Sequence, residues 1–180
     1  MSHEKIRSLA LWARGAALLS VSGVMALPAG EVGITLQTFT LFLLLLTLGG
    51  KGGTVACGVY LMMGAAGLPV FSGFRGGISM LLGPSGGYLL GFLVLCLIYW
   101  ACNPGKSDKN RQRLGMVLGL AGCYICGSLW QCWVYTSVDL ATFLVTAARS
   151  TLPFIIPDVI KMACADALVR RLEKAIGSLS

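Results

Sequence analysis

The sequence predicts an all-α integral membrane protein, a six-transmembrane-helix bundle, and three observations support this fold class. Hydrophobic residues make up 56% of the 180-residue chain and charged residues only 12%. The mean hydropathy, +0.81, is far above that of a soluble domain. Apolar runs recur along the chain, with basic residues beside them. We expect a single transmembrane domain over residues 1–180, with spans at approximately 9–27, 36–48, 54–67, 88–102, 114–135 and 153–172.

The first span follows Lys5 and Arg7, a pattern that superficially resembles a signal peptide. Its apolar run is long enough to cross a bilayer and further spans follow, so we expect a retained first helix. Ala13 and Ala17 stand four residues apart in this span, and such small residues let another helix approach closely. They serve either packing within the bundle or docking to a partner helix, and the pattern alone leaves both readings open.

The middle of the chain is rich in glycine. A GGKGG turn at residues 49–53 separates the second and third spans. Residues 70–87 hold six glycines and Pro84 yet stay apolar, which is typical of backbone that dips into the membrane boundary and lines a cavity. We predict a re-entrant segment or lid that caps a ligand pocket, the alternative being a tight outer loop. Small residues at four-residue steps on the fifth span predict close packing against another helix: Gly115, Gly119, Cys123 and Gly127.

Charge predicts the orientation of the bundle. Six spans place both termini on one side of the membrane, and most lysines and arginines fall on that side, with Arg75 and Arg149 opposite. Cytoplasmic loops carry an excess of Lys and Arg, so we expect a multi-pass protein of the plasma membrane with both termini cytoplasmic. The connection at 28–35, the glycine-rich stretch and the start of the last span then converge on the outer side.

The last span contains two charged residues, Asp158 and Lys161. They lie three residues apart on one helical face, roughly 4.5 Å along the axis. Ionisable residues inside a span cost about 2.5–3.5 kcal/mol each and usually face a cavity, a partner or a ligand. The pair either binds a ligand or forms a purely structural ion pair. Pro153 and Pro157 loosen the start of this helix.

Neutral hydrogen-bonding groups for such a ligand could come from the elements expected at the outer side: Thr35, Gln37 and Tyr88. Asp166, by contrast, lies four residues before Arg170 near the cytoplasmic end, and a helix-surface ion pair explains it.

Several classes of function are excluded. The only histidine is His3, so no nucleophile, histidine and acid set can form, and we predict that the chain is not an enzyme. Cys123 and Cys126 form a CxxC motif without a second pair, so we predict no metal site. The turn around Lys51 lacks the spacing of a phosphate loop. The net charge of +7 is a topology signal rather than a sign of nucleic-acid binding.

Several motifs resemble those of one family. Residues 32–38, VGITLQT, resemble the VPITLQT signature of the BioY family, the biotin-specific S components of energy-coupling factor (ECF) transporters. Residues 67–73, GLPVFSG, and 83–91, GPSGGYLLG, are close to its GLPVF and GPTGGYLLG motifs. Residues 152–161 look like its LPF…DxxK helix. The motifs stand in the family's order over most of the chain, although Gly33 replaces a usual proline and Pro157 a frequent glycine.

The resemblance implies biotin uptake by a six-helix bundle that captures the vitamin outside the cell. It implies docking through Ala13 and Ala17 onto a transmembrane coupling subunit, with two cytoplasmic ATPases consuming the ATP, so this chain needs no cofactor. The ureido N–H groups of biotin suit Asp158 and its carbonyl suits Lys161. Phe71 would cover the fused rings, and Lys161 or Arg75 would meet the biotin carboxylate. The competing hypothesis is a membrane scaffold whose glycine faces assemble larger complexes.

Overall fold

The computed structural model describes residues 3–27, 34–104, 108–135 and 140–177. This part of the chain is helical apart from turns and one small hairpin, which confirms the predicted all-α class. The predicted connection at 28–35 lies largely outside the described residues. Its last two residues form the hairpin with the two residues that precede the connection: Ala26 pairs with Thr35 and Leu27 with Ile34. The elements are α1 (His3–Val24), β1 (Ala26–Leu27), β2 (Ile34–Thr35), α2 (Gln37–Ala65), α3 (Ile78–Leu82), α4 (Gly86–Cys102), α5 (Lys109–Tyr135) and α6 (Leu140–Gly177).

Helix α2 folds back on itself at Gly49. This residue has φ 73° and ψ 175°, in the left-handed half of backbone space that glycine tolerates best. The side chain of Gln37, at the start of α2, donates a hydrogen bond to the hydroxyl of Tyr60, 23 residues further on. A straight helix would separate these residues by about 35 Å. The two arms, residues 37–48 and 50–65, therefore run antiparallel and correspond to the second and third predicted spans.

The turn is shorter than the sequence suggested. We expected it to occupy residues 49–53, whereas the helix resumes at Gly50. The later glycines of this motif serve close packing: a Cβ at Gly50 would lie 2.6 Å from Cα of Trp100, and one at Gly53 would lie 2.6 Å from Cδ2 of Leu45. The missing side chains allow the second arm to approach both the first arm and α4.

The predicted small-residue stripe of α5 packs against α4. A Cβ at Gly119 would lie 2.8 Å from the carbonyl oxygen of Leu95, and a Cβ at Gly91 would lie 2.8 Å from Sγ of Cys123. These approaches confirm the prediction that the stripe contacts a neighbouring helix. They also show why α4 contributes glycine to the same contact.

Helix α6 is longer than the predicted last span. Residues 136–149 were expected to form a connection, but the chain is helical from Leu140 and both Pro153 and Pro157 lie inside the helix. The sequence before Pro153 is rich in alanine and leucine, which favour helix. Proline is tolerated in the interior of membrane helices because neighbouring groups satisfy the freed backbone carbonyls.

Two of the described helical segments are long and apolar enough to cross a membrane by length and composition: Gln37–Ala65 and Lys109–Val134. The length of the first is the sum of the two antiparallel arms of α2. Much of the outer surface is apolar as well. Val21 on α1, Ile125 on α5 and Ile156 on α6 are 62%, 57% and 70% exposed. An apolar surface of this extent is unusual for a soluble monomer and suits contact with lipid.

Candidate functional site

Asp158 is the centre of a buried polar cluster. Its side chain is almost inaccessible, and Nζ of Lys161 lies 2.8 Å from its Oδ1. The hydroxyl of Thr38 donates to the same oxygen at 2.8 Å and accepts from Nζ of Lys161 at 3.2 Å. The predicted pair is therefore formed within α6, and Thr38 connects it to the first arm of α2.

A third donor reaches Asp158 from α5. The hydroxyl of Tyr124 donates to Oδ2 at 2.7 Å. Sequence reasoning missed both Tyr124 and Thr38. Tyr124 gave no signal because a single tyrosine inside a span is ordinary, whereas Thr38 stands in the VGITLQT motif beside Gln37 and could have been included.

Thr35 and Gln37 form a second polar group next to this cluster. The hydroxyl of Thr35 donates to Oε1 of Gln37 at 2.8 Å, and Nε2 of Gln37 donates to the hydroxyl of Tyr60. The Tyr60 hydroxyl in turn donates to the carbonyl of Val70 at 3.4 Å. These hydrogen bonds join the end of β2, both arms of α2 and the glycine-rich stretch. Two of the three segments that were predicted to converge therefore meet here, at Thr35 and Val70.

Phe71 closes the same region from the glycine-rich stretch. Its ring is fully buried and lies edge-on to Tyr60, with ring centroids 5.5 Å apart. Gly64 provides the space, because a Cβ there would overlap the Phe71 ring. The segment from 70 to 87 forms a tight turn between Phe71 and Arg75, which are paired through their backbones, followed by α3.

Tyr88 and Arg75 are not among the described hydrogen-bond partners of the carboxylate. The hydroxyl of Tyr88 donates to Oγ of Ser150 at 2.8 Å, between α4 and α6. Arg75 is exposed at the end of its turn. Among the described residues, the side chains that hydrogen-bond with Asp158 are those of Thr38, Tyr124 and Lys161, so only part of the predicted set bonds directly to the carboxylate.

The cluster combines an anionic acceptor with a cationic donor. A carboxylate has roughly four acceptor positions, and the contacts above occupy three, which leaves capacity on Oδ2. The charges of Lys161 and Asp158 are opposite and cancel within the pair, and both side chains are nearly buried. Such a site suits a neutral ligand group that offers donors and an acceptor side by side.

Ala13 and Ala17 lie on the outside of α1. Both are exposed, whereas Gly15 and Ala16 are buried; a Cβ at Gly15 would lie 3.0 Å from Cβ of Ala56 on α2. Packing within this chain is thus carried by the neighbouring small residues. The face with Ala13 and Ala17 is left accessible.

Asp166 on α6 accepts hydrogen bonds from two arginines, one near the start of α5 and one on its own helix. Its carboxylate lies 2.7 Å from Arg170, as expected from their spacing, and 3.0 Å from Arg113. The bridge to Arg113 was not expected and joins α5 to α6.

The chain is similar to known proteins along most of its length. It is 35% identical to a probable biotin transporter BioY of Pyrococcus horikoshii over 169 residues, which is 94% of this chain and 98% of that protein. It is 49% identical to the biotin transporter BioY of Thermotoga maritima over 78 residues, 43% of this chain and only about half, 46%, of that protein.

A crystal structure of the S component for biotin from an ECF-type ABC transporter has the same fold. It superposes with a TM-score of 0.80 at 29% identity and covers 97% of this chain and 95% of the solved chain. The model of the BioY family matches residues 1–178. Together with the motifs in the helices that carry Thr38 and Asp158, this match shows that the chain belongs to the BioY family.

Proposed function

We propose that this chain is a membrane-embedded S component that binds biotin at the outer side and delivers it inward with an ECF energising module. The observation that carries the proposal is the buried pair of Asp158 and Lys161, in a chain of the BioY family. The curated relatives are transporters, which agrees with the prediction that the chain is not an enzyme.

The ureido ring of biotin fits the chemistry of this pair. Its two N–H groups are donors and its carbonyl is an acceptor. One N–H can use the remaining capacity of Asp158 at Oδ2, and the ammonium of Lys161 can donate to the ureido oxygen. Because the ureido group is neutral, the internal charge balance of the pair is preserved when the ligand binds.

The remaining predicted residues would form the walls of the biotin pocket. Gln37 and Thr35 offer amide and hydroxyl groups next to Thr38, Phe71 offers an apolar surface for the fused rings, and Tyr88 lies on the α4 side. Ligand pockets commonly combine apolar walls with a few placed polar groups. Arg75, exposed at the outer end, is the candidate for the biotin carboxylate, with Lys161 as the alternative.

The membrane arrangement that we propose has six spans with both termini cytoplasmic: α1, the two arms of α2, α4, α5 and α6. The fold-back at Gly49 supports it, because it places Lys51 at the same end as Trp100 of α4. Arg113 and Arg170 share one end through Asp166. An excess of basic residues at one end indicates the cytoplasmic side.

The proposed partners are a transmembrane coupling subunit and two cytoplasmic ATPases. The solved S component comes from an ECF-type ABC transporter, and the accessible small residues Ala13 and Ala17 offer a surface where a partner helix can approach closely. In this assembly ATP is used by the partner subunits.

Equilibrium titration with biotin tests the proposal. The protein is purified into nanodiscs and titrated with biotin by calorimetry, with lipoic acid as the matched control, since it carries a sulfur ring and a carboxylated tail but no ureido group. We expect saturable binding of biotin and none of lipoic acid. If biotin does not saturate, the scaffold hypothesis is favoured, and equal binding of both acids would contradict the ureido assignment.

A further inference from the structure

The outer end of the bundle carries an apolar surface that the binding chemistry does not use. Ile78 and Leu82 lie four residues apart, on one face of α3, and point away from the bundle, whereas Met80 and Leu81 of the same helix pack against the core. Leu68 and Phe74 extend the exposed face along the chain. The four exposed side chains have 50%, 71%, 65% and 61% of their surface accessible: Leu68, Phe74, Ile78 and Leu82.

This apolar surface is continuous with the lipid-facing side of α5. The indole N–H of Trp130 donates to the carbonyl of Gly83, directly after α3, at 3.0 Å. The ring centroids of Trp130 and Trp133 lie 5.5 Å apart, and Trp133 is 68% exposed. Tryptophan is enriched at the membrane–water interface, so α3 ends at the level of an interfacial tryptophan pair.

The turn before α3 presents an aromatic ring outward at a conformational cost. Phe74 has φ 58°, which is unfavourable for a bulky residue. The turn is closed by the backbone bond from Phe71 N–H to the carbonyl of Arg75, at 2.9 Å. This geometry buries Phe71 and directs Phe74 away from the core. Arg75 follows it on the surface.

We propose that residues 68–82 lie in the headgroup region of the outer leaflet, with the apolar surface at the acyl boundary. The occupant of this surface is the phospholipid bilayer itself. A helix with an exposed apolar face, which ends beside a pair of tryptophans, suits the boundary between headgroups and acyl chains. The proposal rests on the membrane topology proposed above but not on biotin as the ligand.

Spin-label accessibility tests this placement. Ile78→Cys and Leu82→Cys are labelled separately with a nitroxide in nanodiscs of phosphatidylcholine and phosphatidylglycerol, and relaxation by oxygen, which concentrates in lipid, is compared with relaxation by a water-soluble nickel chelate. The more accessible native thiols are first replaced by serine, while the deeply buried ones are retained: Cys102, Cys126 and Cys164 are replaced. Ile125→Cys is the lipid-facing reference and Lys109→Cys the aqueous one.

We expect both labels on α3 to give a ratio of oxygen to nickel relaxation that lies between the ratio at Ile125 and the ratio at Lys109, and well above the latter, with or without biotin. A ratio like that of Lys109 would overturn the proposal. Loss of accessibility to both reagents on addition of biotin would also overturn it, because α3 would then be a lid that closes on the ligand. Biotin affinity is measured on the same samples, so a failure to bind biotin contradicts the proposed function while the accessibility ratio still decides the placement of α3. Two label positions guard against a variant that fails to fold.

Discussion

The hydroxyl of Thr38 on α2 donates a 2.8 Å hydrogen bond to Asp158 on α6, across 120 positions of sequence. The same carboxylate accepts hydrogen bonds from the hydroxyl of Tyr124 on α5 and from Nζ of Lys161 on its own helix. One buried side chain thus joins three helices. Changes at this carboxylate should alter both the stability of the bundle and its affinity for ligand, and the two effects can be separated.

Replacing Asp158 with asparagine should abolish most of the biotin affinity. The variant keeps the shape of the side chain but loses the charge that accepts the ureido N–H. Hydrogen bonds to a charged group contribute about 1.5–3 kcal/mol, so the Kd should rise roughly 10- to 100-fold. Calorimetric titration in nanodiscs measures it.

Asp166→Asn is the matched control for that change. It removes an ion-paired carboxylate from the same helix, but at the Arg113 and Arg170 bridge rather than in the candidate site. We expect a biotin Kd close to that of the unchanged protein. Equal losses in both variants would mean that Asp158 acts through general stability and would refute its role in binding.

Tyr124→Phe should destabilise the bundle more than it weakens binding. The substitution removes the donor to Oδ2 of Asp158 and preserves the ring, and loss of this bond should lower the free energy of unfolding by about 1.5–3 kcal/mol. The freed oxygen stays available to the ligand, so the biotin Kd should change less than in Asp158→Asn. Thermal unfolding with and without biotin gives both quantities, and an unchanged midpoint would argue against the bond.

Gly64→Ala should disturb the site through Phe71. The new methyl group would overlap the Phe71 ring, which must then move away from Tyr60, and overpacking of this kind costs about 1–3 kcal/mol. We expect weaker biotin binding and a lower unfolding midpoint. Gly58→Ala, in the same arm of α2 but with open space around the added Cβ, is the control and should bind normally. A normal Gly64→Ala protein would show that Phe71 does not shape the pocket.

Ala13→Trp and Ala17→Trp should weaken association with the coupling subunit while leaving biotin affinity intact. A large ring on this accessible face prevents close approach of a second helix. Leu18→Trp is the control, since Leu18 is also exposed on α1 but lies on a different side of the helix. Co-purification with the energising module is the measurement. Retention of the module by all three variants would assign Ala13 and Ala17 no part in docking.

The local features of the fold were predictable because they have local causes. The glycine motif around Lys51 predicted a reversal between two helical segments, and the glycine stripe of α5 predicted its contact with α4. The start of α6 was not predictable from its prolines. Pro153 and Pro157 are strong helix breakers in water, but helical sequence on both sides and contacts to neighbouring helices keep them inside one helix.

Within the candidate cluster around Asp158, only the two residues that are close in sequence were predicted. Asp158 and Lys161 stand out because charge is rare in an apolar span, and their spacing already implies contact. Tyr124 and Tyr60 could not be selected, since their positions depend on how α5 and the second arm of α2 are rotated against their neighbours. That rotation arises from side-chain packing between distant segments, which no short motif records.

Because α2 reverses at Gly49, the contact between Gln37 and Tyr60 depends on the number of residues in each arm. Gln37 and Tyr60 meet because the two arms leave the turn in a fixed register. One residue inserted between Gly49 and Tyr60 would rotate the Tyr60 hydroxyl by about 100°, away from Gln37, while the hydropathy of the arm stayed the same. Length variation among relatives should therefore be tolerated in the connections but selected against within these two arms.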